Sequence, residues 1–97
     1  MSISWAKSAQ NDLLEIVNYL ISQEDQKTAE NIAKRIFKAT DILVSFPLSG
    51  KLGKINGTRE LYLRDLPYFI VYKVKEDRQA IIVRIIHTSR LWDNVFN

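Results

Sequence analysis

Cysteine is missing altogether, histidine occurs once, and the 97 residues hold only three glycines, two prolines and one methionine. Without cysteine there can be no disulfide scaffold, no thiolate metal site and no thiol nucleophile. One histidine leaves zinc dependent on carboxylates, a poor ligand set, so no metal and no cofactor is expected. Long apolar runs are also lacking: none approaches the ~20 residues that span a bilayer. The start, "MSISWAKSAQ", has no apolar stretch behind a basic one, as a secretory leader would. These absences lead to the expectation of a soluble, cytoplasmic, metal-free protein without membrane contact. At this length, residues 1–97 are expected to form a single domain.

What is present is unevenly spread. Residues 1–50 carry five Lys/Arg against six Asp/Glu, whereas residues 51–97 carry nine against five. The whole positive excess therefore lies in the C-terminal half, which suits an acidic partner or a phosphate backbone. Solvated lysines on strands and turns are the bland alternative.

The apolar pattern changes period midway. "ISW" is a short first strand. From Ser8, expected to cap a helix, Leu13, Ile16, Val17, Leu20 and Ile21 recur at helical spacing. After "SQEDQK", Thr28 is expected to cap a second helix with Ile32, Ala33, Ile36, Phe37, Thr40, Leu43 and Val44 along one stripe, stopped at Pro47 and Gly50. Two amphipathic helices on a short linker predict an antiparallel hairpin. Beyond "GKLGKINGT", the segments "RELYLR", "YFIVYKV" and "AIIVRII" read as strands, the last two joined by "KEDRQ". Alternation places Ile81, Val83 and Ile85 toward the helices, and Ile82, Arg84 and Ile86 on the open side. The fold class expected is α+β and two-layered: an N-terminal strand, an antiparallel helix hairpin, then three antiparallel strands. Its expected core joins Ile16, Val17, Leu20, Ile36, Phe37, Val83 and Ile85.

The residues able to carry chemistry sit mainly in the second half. His87 ends an apolar run, and Arg90 and Trp92 follow in "RIIHTSRLW". A proton shuttle needs a partner within hydrogen-bonding reach. The nearest acid in sequence to His87 is Asp93, so a structural imidazole is the expectation. Arg59, Arg64, Arg84 and Arg90, accompanied by Tyr62, Tyr68 and Tyr72, would grip phosphates or acidic side chains from an open sheet face. Trp92 fits either packing or a partner surface. "GKLGKINGT" lacks the spacing and terminal Lys-Ser/Thr of a phosphate-binding loop and precedes a strand. Lys51 and Lys54 still place two amines beside the basic strands.

Together "WAKSAQNDLLEIVNYL", "GTREL", "LPYFIVYKV" and "IIVRIIHTSRLW" resemble the RelE/ParE superfamily of bacterial toxin–antitoxin toxins over nearly the whole chain. The resemblance implies the strand–helix–helix–strands fold and a partner antitoxin that forms a hetero-oligomer with the toxin. It also implies one of two targets. RelE-like members cut mRNA on the ribosome, whereas ParE-like members poison DNA gyrase without nuclease activity. The cleaving members usually carry an arginine after the central-strand tyrosine, but here Phe69 follows Tyr68. Lysines common on the preceding strand give way to Glu60 and Tyr62, and Phe96 stands where a catalytic tyrosine can sit. Arg90 matches a basic position of the cleaving members, and Arg64 lies close to another. These departures favour the ParE-like branch, with no catalytic residue and a partner surface of Arg59, Tyr62, Arg64, Arg84, Arg90 and Trp92. The alternative is a metal-independent endoribonuclease built on Arg64, Arg84, His87 and Arg90. A third reading is a toxin whose activity has decayed to antitoxin binding alone.

Overall fold

The computed structural model describes residues 3–89. Strand β1 (Ser4–Trp5) leads into helix α1 (Lys7–Gln23). Helix α2 (Gln26–Ala39) and a single turn, α3 (Ile42–Ser45), follow. Four strands complete the order: β2 (Lys51–Leu52), β3 (Arg59–Tyr62), β4 (Tyr68–Val74) and β5 (Ala80–His87). They form one five-stranded sheet in the order β1-β5-β4-β3-β2. Neighbours pair antiparallel except β1, which runs parallel to β5 through Ser4↔Ile81 and Trp5↔Ile82. The expected α+β architecture is present, with two refinements. The segment "GKLGKINGT" contributes the short strand β2, and the first strand makes the sheet mixed.

The caps lie slightly earlier than the sequence suggests. The α1 cap is Ala6, which puts Ser8 inside the helix, where its Oγ donates to the Val83 carbonyl at 2.6 Å. Asp25 caps α2, its Oδ1 accepting the Thr28 N–H at 2.7 Å. The second helix also stops sooner than its apolar stripe implies. At Thr40 the chain breaks between α2 and α3, and the buried Thr40 hydroxyl donates back to the Phe37 carbonyl at 2.6 Å. Side-chain hydrogen bonds of this kind compete with continued helix.

The core between helices and sheet is built on Ala9, Ile36, Leu43, Ile70, Tyr72, Ile82 and Ile85, with Leu13, Ile16 and Leu61 packed against it. Two expectations are corrected here. Phe37 is 57% exposed and stacks on Trp5 at 5.5 Å, so it lies at the rim of the helix layer. Strand β5 does not alternate evenly: Val71 pairs with Arg84 but Tyr72 pairs with Ile82, leaving Val83 as an extra residue. A bulge of this kind shifts side chains by one place. Ile82 therefore enters the core in place of Ile81 and Val83, which are half-buried. A second buried cluster, Phe69, Val71 and Ile86, lies on the alternate positions of β4 and β5.

Candidate functional site

The free edge of β5 positions the first group of functional side chains. Strand β1 covers only Ile81 and Ile82, so the edge groups beyond need other partners. Residues entering and beginning α1 supply them in sequence. The Ala6 N–H donates to the Ile82 carbonyl at 2.8 Å, Ser8 Oγ donates to the Val83 carbonyl, and Asp12 Oδ2 accepts the Ile85 N–H at 2.9 Å. The same aspartate takes Arg84: Nε donates to Oδ2 at 2.7 Å and Nη2 to Oδ1 at 3.2 Å. Arg84, paired with Val71 on the open side as expected, sends its guanidinium to Asp12 of α1. Its bidentate ion pair is partly shielded from water, the geometry that gives such pairs their strength.

His87 ends the same strand opposite Tyr68, and the two rings meet edge to face with centroids 5.3 Å apart. Its Nδ1 accepts the Ser89 backbone N–H at 3.1 Å and lies 2.7 Å from Ser89 Oγ. Accepting at Nδ1 assigns the neutral ring's proton to Nε2. Among the described residues no carboxylate hydrogen-bonds this ring. Burial, and then the charge of nearby Tyr19, holds the Tyr68 phenol above its ordinary value of 10.0. These residues line a groove of about 640 Å³ between α1 and the ends of β4 and β5, whose walls include Asp12, Glu15, Tyr19, Tyr68, Ile85 and His87.

The other nominated residues lie elsewhere. Arg59, half-buried, sends Nη1 to the Leu48 carbonyl at 3.3 Å and the Gly50 carbonyl at 2.8 Å, so it braces the chain leading into β2. Tyr62 is stacked on Phe69 with centroids 4.7 Å apart, and Lys51 Nζ stands 4.5 Å from its ring centre. The stacked Phe69 occupies one face, so the ammonium covers the other, and a nucleic-acid base would have to displace one of them. The Tyr62 hydroxyl donates to Glu60 Oε1 at 3.1 Å; burial first, then that bond and the carboxylate's charge, raise its pKa. Glu60, almost fully buried, also accepts the Lys54 N–H at 3.0 Å. Arg64 lies exposed in the turn between β3 and β4, and Tyr72 is wholly buried. Arg90 and Trp92, the remaining nominations, lie outside the described residues, as does Phe96.

The arrangement brings together His87, Tyr68 and the α1 acids, and assigns Arg84 and Arg59 to internal partners. The sequence reading missed Asp12, Glu15 and Tyr19. Their signal was an aspartate set beside Leu13 on the apolar stripe of α1, where an acid needs a partner across the interface. Among the described residues, no three histidine, aspartate or glutamate side chains converge to hold a metal ion. No described helix is long and apolar enough to cross a membrane.

The chain's relatives agree with its architecture. A family model described as the ParE toxin of type II toxin–antitoxin system, parDE, matches residues 3–92. A protein of Sinorhizobium fredii (strain NBRC 101917 / NGR234) named "Putative toxin Y4kP" is 38% identical over 93 residues, spanning 96% of this chain and 94% of its own. A chain of the solved chromosomal ParDE TA system from P. aeruginosa superposes with a TM-score of 0.81 at 25% identity, covering 90% of this chain and 95% of that one.

Proposed function

The chain belongs to the ParE toxins of type II toxin–antitoxin systems, and from that premise we propose that it arrests growth in the cytoplasm by binding and poisoning DNA gyrase. A toxin of this family has an antitoxin as its partner. The protein acts as a binding surface, without catalysis of its own, and the antitoxin encoded with it blocks that surface.

The observation that supports this reading over an endoribonuclease is the commitment of Arg84. Cleaving an RNA phosphodiester without a metal requires cations free to stabilise charge on the phosphorane. Arg84 is already neutralised by both oxygens of Asp12, and Arg59 is spent on two backbone carbonyls. His87, the remaining acid–base candidate, faces Ser89 and Tyr68.

The test is a parallel assay of purified protein. One arm follows supercoiling of relaxed plasmid by gyrase, and the other follows cleavage of mRNA on programmed ribosomes. Inhibited supercoiling with intact mRNA is expected. Codon-dependent mRNA cuts with unaffected gyrase would replace this function by the ribosomal one.

A further inference from the structure

Five large apolar side chains stay exposed between positions 42 and 55: Ile42, Phe46, Leu48, Leu52 and Ile55. Exposed apolar clusters of this kind mark surfaces that another molecule covers. Three of them, exposed by 45%, 64% and 52% for Ile42, Phe46 and Leu48, line one slot of about 340 Å³ together with buried Pro47 and the side chain of Arg78.

The slot is held open from beneath. The Tyr72 hydroxyl, inside the core, donates to the Pro47 carbonyl at 2.8 Å and accepts the Gly50 N–H at 2.8 Å. Arg59 holds the Leu48 and Gly50 carbonyls from the neighbouring strand. These bonds fix the backbone by its polar groups, while Phe46 and Leu48 remain in water. A surface ordered before binding loses little entropy when it is covered.

Charge identifies the occupant. No acid occurs between Asp41 and Glu60, and the Glu60 carboxylate is buried on Lys54 N–H and Tyr62 OH. The one charged side chain lining the slot is Arg78. It stands at φ 69°, a left-handed conformation that glycine adopts without strain and arginine does not. Its neighbour Asp77 is turned to the Gln79 N–H at 3.0 Å. A strained cation kept at a position suited to glycine points to a use for the charge.

We propose that this slot is a docking point for the antitoxin. An apolar side chain of leucine to phenylalanine size inserts between Ile42, Phe46 and Leu48, and a nearby carboxylate of the same segment pairs with Arg78. The proposal rests on the toxin–antitoxin reading and adds to it a location and a sequence chemistry for the partner segment. It moves the acidic contacts away from Arg84, which already holds Asp12.

The experiment measures binding of the full-length, fluorescently labelled antitoxin to full-length toxin by anisotropy. Phe46→Ser, Leu48→Ser and Arg78→Gly are compared with the parent and with Leu14→Ser on the exposed side of α1. Each slot variant is expected to weaken binding by roughly tenfold or more, as anchor residues do, while Leu14→Ser binds like the parent. Arg78→Gly separates binding from folding: it should melt no lower than the parent yet bind less tightly, with a shallower salt dependence. Parent-like affinity in all three slot variants would overturn the proposal and leave the toxin–antitoxin reading standing. Normal antitoxin binding with lost growth arrest would assign the slot to the toxin's target and overturn it too. Failure of the parent itself to bind antitoxin would remove the underlying reading, and the proposal with it.

Discussion

A phenol hydroxyl in an apolar core destabilises unless it is paired, and Tyr72 shows how one residue turns that constraint to use. It both donates and accepts a hydrogen bond at 2.8 Å, tying the loop before β2 to the sheet. Gly50 is required at that contact. A methyl group there would lie 2.7 Å from the Tyr72 oxygen and 2.8 Å from the Glu60 carbonyl, far inside ordinary contact. Nothing in the residue types of "SFPLSG" announces this, because the partner lies on a strand more than twenty residues later. Phe37 shows the opposite failure: its helical spacing is that of a core residue, but the stripe on α2 is wider than the buried face. Truncating Ile36, wholly buried, should therefore cost about 2–5 kcal/mol, whereas Phe37→Ala should cost about 1 kcal/mol or less. Urea unfolding of the two variants checks this. Equal losses would mean that Phe37 is buried after all.

At the scale of elements, the sequence shows which segments form and conceals how they register. Helices, strands and their order follow from periodicity, since period 3.6 and period 2 are local properties. The bulge at Val83 is not local: it exists only as a mismatch between β4 and β5, and it alone decides that Ile82 rather than Ile81 is core. Arg84 keeps the face that alternation gives it, opposite Val71, and what the local pattern conceals is that its guanidinium meets Asp12 of α1. Helix α2 supplies an element-level prediction. The Thr28 N–H, and then its hydroxyl, holds the Asp25 carboxyl below its ordinary value of 3.8. A lowered pKa means that the stabilisation is fully present above that ordinary value and is lost as pH falls through the folded one. Asp25→Asn keeps an oxygen for the Thr28 N–H but cannot titrate. Thermal melts from neutral to acid pH should then fall less steeply for Asp25→Asn than for the parent. Superimposable acid limbs would show that the cap contributes nothing pH-dependent.

For the whole molecule, the segment order carried the fold and the family, and left the choice of target to single residues. The charge asymmetry was legible as a sum, but not which cations it leaves for a partner. Two arginines of the second half, Arg59 and Arg84, hold internal acceptors. Arg78, in a hairpin that looked like a plain polar turn, lines an apolar slot. The target question turns on the single histidine. In an acid–base nuclease an imidazole would contribute about 10²–10⁴ in rate. A protein that only binds gyrase moves no proton, and His87 then supplies an edge contact to Tyr68 and an acceptor for the Ser89 N–H. His87→Gln preserves an acceptor of similar reach and removes the titrating ring. Induced in cells without antitoxin, the variant should arrest growth as the parent does. Arg90→Glu, at a position outside the described residues, should abolish arrest by spoiling an interaction surface. Matched expression and matched melting temperatures make the comparison valid. A well-folded His87→Gln that no longer arrests growth, from a parent that cuts mRNA on the ribosome, would overturn the proposed gyrase reading in favour of the endoribonuclease.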